Sequence, residues 1–363
     1  MVEAAPSQAA ERAPITSRAE LTHYLETTPP GTSPLGWLSP GGRKRFLASL
    51  EFGSRGLEGF SHDDPDHELT HAPIVQLFTL FVIKDYAEGL GLTEDERIRF
   101  ERERLAAANA RGCAVASCPE SAIEQRYDKL VLQQHDSSSP TIERFARIGR
   151  QYDHLFAGDQ TPRKLRSLDD IDLRLLVRAA GIAVFYEPSS RHIAQLQMDL
   201  AEMQRRDLAT DRDFVVLYRA WVATRQFAKA AALARQHPGM SVHALPTLLD
   251  SAGLPPGQPT ALAIAMGGRT MTRQAFDLST PVRIVVVGSC HFSQDAAHAI
   301  YWVSHLRSLF TRHQICLTGQ RHCVSGAHYS QYRLPLQPIH IHCQIPEFTY
   351  HPLSVPTPFR VFT

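Results

Sequence analysis

The residues best placed to do chemistry are Cys290, His291 and Ser293, in the stretch PVRIVVVGSCHFSQDAAHAI over 281–300. Ile284, Val285, Val286 and Val287 form an apolar, β-branched run that suits a buried strand. Gly288 and Ser289 turn the chain, and helical spacing resumes over 295–310. A thiol held between a strand and a helix start meets unpaired N–H groups and partial positive charge, which favour thiolate over thiol. An imidazolium at His291 favours it further, and the Ser293 hydroxyl can donate a hydrogen bond to the sulfur. The chemistry implied is nucleophilic attack by sulfur. The opposed reading is a buried, inert cysteine at a strand end.

A second constellation is His67-Glu68-Leu69-Thr70-His71, a literal H-E-x-x-H. On one helix this spacing sets two imidazoles a turn apart beside a carboxylate that activates a zinc-bound water, as in a zinc-dependent hydrolase. A chain with 18 histidines produces such a match readily by chance. Asp63, Asp64 and Asp66, with Pro65 among them, suit the positive end of a helix whose buried face is Ile74, Leu77, Phe78 and Phe81. A capped helix start is therefore expected there, and no metal or other cofactor. Cys113 and Cys118 have the spacing of a local disulfide or of half a metal site; without a second pair they read as ordinary loop thiols. His340, His342 and Cys343 are metal-type residues in Pro-rich surroundings that offer no second shell.

The elements that must carry these residues change in character along the chain. Residues 1–14 read as a disordered tail. An α-helical domain is expected over 15–250, opening with a capping box at Ser17 and Glu20, then a helix over 40–52. A second capping box at Thr93 and Glu96 opens a charged helix to about 109. Helical periodicity follows over 121–134, 141–156, 168–185 and 190–203, with Asp169, Asp170 and Asp172 in a first turn, where the helix dipole favours them over a cation site. The helical hairpin over 211–224 and 226–237 is similar to one repeat pair of the tetratricopeptide type, and it occurs once. A Gly/Pro linker spans 251–259. Beyond it a strand is expected over 260–266, a short connection at 273–277 and a second strand over 283–287.

This order of strand, turn, strand, cysteine turn and helix resembles the start of a thioredoxin-like domain. The run from Ile284 to Ser293 is similar to that family's strand and C-x-x-C, with serine in place of the second cysteine. The resemblance implies that Cys290 is the attacking thiol, that the partners are protein thiols or disulfides, and that a cis-proline loop faces the cysteine. Thr357-Pro358-Phe359 is similar to that loop, and Pro346 is a rival candidate. With serine at 293, exchange runs as a monothiol reaction or is resolved by Cys316, Cys323 or Cys343. Five residues follow Pro358, too few for the family's closing helix. The last 53 residues hold six prolines, six histidines and one acidic residue, with little periodicity. The fold class expected is thus a helical N-terminal domain followed by a thioredoxin-like α/β domain over 260–363 with an atypical or truncated end.

Composition bounds the rest. A length of 363 residues suggests two domains, and a formal net charge of +1 gives no electrostatic reason to expect nucleic acid or an anionic membrane. No apolar run reaches the length of a membrane span. The absence of a visible signal peptide points to the cytoplasm; a start codon placed too far downstream would hide a leader and point to the periplasm or export. Thiol–disulfide exchange is the leading reading. A helical interaction protein with a structural C-terminal remnant, and a zinc hydrolase using His67, Glu68 and His71, are the alternatives.

Overall fold

The computed structural model describes residues 14–54, 56–134, 141–242, 244–249, 253–255, 260–264, 269–275, 284–288, 304 and 314–318. The chain divides into two compact units between Ala220 and Trp221.

The first unit is helical. It runs through α1 (Arg18–Thr27), α2 (Pro40–Ala48), a hairpin of β1 (Glu51–Gly53) and β2 (Gly56–Gly59), α3 (Asp63–Glu68), α4 (His71–Thr79), α5 (Glu94–Arg111), α6 (Ala122–Gln134), α7 (Thr141–Phe156), α8 (Pro162–Ser167), α9 (Asp170–Tyr186) and α10 (Ser190–Arg205). The helix expected over 40–52 ends at Ala48, because the following residues enter the antiparallel β1–β2 pair instead. Phe46, Leu50, Phe60, Ile74, Leu77, Phe78 and Phe81 form one apolar cluster around α2 and α4, with the Phe60 and Phe78 rings edge to face at 5.3 Å. Helix α9 is the central rod: it packs on α5, α6, α7 and α10, and its buried Ala179, Ala180 and Ala183 let neighbours approach closely.

Helix starts follow the sequence closely. Thr93 and Glu96 form the expected capping box of α5. Asp169 caps α9 by accepting from the Asp172 N–H at 2.8 Å, which accounts for the aspartate triplet without a cation. Ser17 caps α1 as expected, but the Glu20 carboxylate reaches past it to the N–H and hydroxyl of Thr16.

In the second unit, α11 (Val215–Ala223, cut by the division) is followed by α12 (Phe227–Gln236). Strand β5 (Thr270–Ala275) pairs in parallel with β3 (Thr247–Leu249) and antiparallel with β4 (Thr260–Ile264). The short connection expected at 273–277 is therefore strand up to Ala275, whose Cα pairs with that of Thr260 on β4. Strand β6 (Ile284–Gly288) falls where expected and pairs in parallel with β7 (Gln314–Thr318), a strand inside the stretch where periodicity is hard to read. Among the described residues, no helix is long and apolar enough to cross a membrane.

Helix ends are less conventional. After α4, Val82 N–H bonds Thr79 O at 3.2 Å and Ile83 N–H bonds Phe78 O at 3.1 Å, the paired bonds of a Schellman stop. The left-handed position belongs to Val82, with φ of 60° and a side chain 66 % exposed, although a β-branched residue is the poorest fit there. Val82→Gly should therefore raise stability by about 1 kcal/mol in urea unfolding. An unchanged or lowered midpoint would show that the Val82 conformation costs nothing.

Candidate functional site

The H-E-x-x-H residues do not share a helix. Helix α3 ends at Glu68, Leu69 and Thr70 are extended, and α4 begins at His71. Pro73 explains the break: in a continuous helix its ring would meet the Leu69 carbonyl, which instead accepts from Leu92 N–H at 2.8 Å. The two imidazoles are thereby parted. His67 Nδ1 lies 2.7 Å from the Asp63 carbonyl oxygen, and His71 Nδ1 lies 3.2 Å from that of Leu90. Glu68 is occupied elsewhere, accepting from the N–H and hydroxyl of Ser39 at 2.6 and 2.7 Å. The helical premise of the zinc-hydrolase reading fails, and no group of three or more His, Cys, Asp or Glu able to hold a metal occurs among the described residues.

Those helix ends instead feed a buried ionic network that sequence periodicity does not reveal. Arg45, 3 % exposed, donates from Nε and Nη2 to Asp64 at 2.9–3.1 Å and from Nη1 to Asp128 at 2.8 Å, with Glu124 at 3.3 Å. Arg178 of α9 donates to both Asp63 and Asp64. Tyr127 donates its hydroxyl to Asp63 at 2.7 Å and lies beneath both guanidinium groups, at 5.2 Å from Arg45 and 5.0 Å from Arg178. The first turn of α2 admits two of these carboxylates only because it is bare. A Cβ on Gly41 would stand 1.9 Å from Glu124 Oε1, and one on Gly42 would stand 2.4 Å from Glu68 Oε1.

The network also biases the protonation of its members. Burial opposes the charge on Arg45, but Asp64 outweighs it and holds the guanidinium above its ordinary value; for Arg178 burial is outweighed by Asp63, Tyr127 and Asp64 together. Burial, then the Asp64 charge, pushes the Glu68 carboxyl up. His67 is also raised: burial opposes its charge and Asp63 more than offsets that. Perturbed groups gathered in this way mark catalytic centres or structural ion-pair networks. Here the hydrogen bonds of the Arg45 guanidinium go to protein carboxylates, which makes the cluster a joint between α2, α3, α6 and α9.

The cysteines divide sharply. Cys113 and Cys118, expected to be free loop thiols, form a disulfide with Cα atoms 5.1 Å apart. The stop of α5 makes this geometry: Gly112 takes the left-handed position, Cys113 N–H bonds back to Ala108 O at 3.0 Å, and a turn of 3-10 helix over Val115–Ser117 returns the chain. Cys290, His291 and Ser293 lie outside the described residues, as do Pro346 and Pro358. Strand β6, which leads to Cys290, is described, and so is Cys316, whose Cα pairs with that of Val286 in mid-strand. The chain matches no family model, no curated protein and no solved structure.

The sequence carried weak signals for what was missed. Pro73 announces the break within H-E-x-x-H, and two glycines after a helix-starting Pro40 announce a close approach. Arg45→Met should destabilise the protein by about 3 kcal/mol, because both buried aspartates lose their hydrogen bonds to Arg45, leaving Asp64 to Arg178 and Asp128 to Lys44. A loss under about 1 kcal/mol in urea unfolding would contradict that assignment.

Proposed function

We propose that the C-terminal part of this chain carries out monothiol thiol–disulfide exchange, with Cys290 as nucleophile. The observation that supports this reading most is the parallel pairing of Ile284–Gly288 with Gln314–Thr318. Parallel neighbours need a connection of about a dozen residues or more, and the chain between Gly288 and Gln314 is long enough for one. Cys290 follows the carboxyl end of β6 by two positions, and in parallel α/β sheets sites gather outside the carboxyl ends of strands. The resemblance to thioredoxin-like domains implies a strand of this kind ahead of the thiol.

In the proposed reaction the Cys290 thiolate attacks one sulfur of a partner protein's disulfide. A new S–S bond forms to Cys290, the old one breaks, and its electron pair leaves on the second sulfur, which takes a proton from water. A further thiol then attacks the mixed disulfide and restores the Cys290 thiolate, so electrons balance over the cycle. His291 stabilises the thiolate by charge and Ser293 by a hydrogen bond. The mid-strand register of Cys316 supports a resolving thiol from outside β7 rather than from within it.

Alkylation with iodoacetamide at neutral pH tests this on the full chain. If Cys290 is the nucleophile, it should react at least severalfold faster than a free cysteine, because only an activated thiol is largely thiolate at that pH. An unreactive Cys290 in the folded protein would leave the helical interaction role as the better account.

A further inference from the structure

Asp199 is buried in an unusual way. Its side chain is 0 % exposed on α10, and it forms no ion pair among the described residues. Oδ2 accepts one hydrogen bond, from Gln160 Nε2 at 3.1 Å, while Oδ1 has no donor. Gln195, one turn earlier on α10, and Gln160 also have side-chain oxygens without donors. A carboxylate with one neutral donor and no cation is a costly thing to bury, and three undonated oxygens in one cluster call for a hydrogen.

The charged groups around it are committed elsewhere. From α7, Tyr152 accepts from Gln160 at 2.8 Å, and Asp153 faces Arg191 and His192 of α10 at 3.1 and 3.3 Å. In the turn after α7, Asp159 is held by Arg126 of α6 at 2.7 Å. Arg163, Lys164 and Arg166 of α8 are exposed. On α9, Asp170 pairs with Arg206, Asp172 with Arg111, Arg174 with Glu103 and Arg178 with Asp63 and Asp64. Also on α10, Glu202 pairs with Arg205 and Arg206.

We propose that Asp199 is a buried proton-binding site, neutral in the folded protein, whose ionisation loosens α10 from the turn between α7 and α8. Burial pushes this carboxyl up to about 7; the Gln160 hydrogen bond opposes that and the Asp159 charge adds to it. The folded protein therefore holds a proton that the unfolded chain gives up above its ordinary value of 3.8. Stability from this group is full below that value, falls as pH rises towards 7 and then levels. The device is a lock that weakens on passing from mild acid to neutral.

Urea unfolding of the full chain and of Asp199→Asn, at pH 4 and pH 8, tests this together with the carboxyl resonance of Asp199. The wild-type unfolding constant should rise between these pH values by at least roughly a hundredfold more than that of Asp199→Asn, an isostere of the neutral acid. The Asp199 resonance should titrate near neutrality and move to lower pH in Asp159→Asn, a readout that stands even if Asp199→Asn does not fold. Equal pH dependence in both proteins overturns the proposal, as does titration near the ordinary carboxylate value. So does stabilisation of the wild type, but not of Asp199→Asn, by added sodium, potassium or calcium chloride, since a cation would then occupy the proton's place.

Discussion

Arg45 is held by Asp64 from α3 and by Asp128 and Glu124 from α6, and it sits over the same tyrosine ring as Arg178 from α9. That convergence ties four helices of the first unit to one another. Each charge must find its partner at hydrogen-bond distance, so four helices share one relative placement. The Coulomb gain is largely offset by desolvation, and the network's effect lies in orientation rather than in net stability. The bare first turn of α2 suits it, because a Cβ at Gly41 or Gly42 would force the Glu124 or Glu68 carboxylate to shift.

Helix ends are the second organising device. The stops at Val82, Gly112 and Asp207 use one pair of backbone bonds, though one of the three is a glycine. At Gly112 the same motif brings Cys113 round to Cys118, so a disulfide grows out of a helix terminus. A local staple of this kind restrains the approach to α6, whose first turn reaches the network through Glu124.

What could be read from residues alone depended on the range of the interaction. Helix positions and caps such as Thr93 and Asp169 are written within four residues, and they were legible. The H-E-x-x-H failed because its spacing has meaning only on an unbroken helix, and Pro73 breaks it. Arg45 and Arg178 were not legible as partners, since their aspartates lie on other elements and periodicity carries no pairing information. Strand β7 escaped notice because Gln314–Thr318 is short and carries one β-branched apolar residue, Ile315, yet its partner Ile284–Gly288 was plain from β-branched residues. The pairing between them is a tertiary fact.

The parallel β6–β7 pair is the observation on which the proposed thiol reading rests. The central claim is that Cys290 exchanges disulfides. Incubating the full chain with oxidised glutathione and mapping adducts by mass spectrometry tests it directly. The account predicts one glutathione, on Cys290, with the Cys113–Cys118 bridge intact. No adduct at Cys290, or equal labelling of Cys316, Cys323 and Cys343, would contradict it.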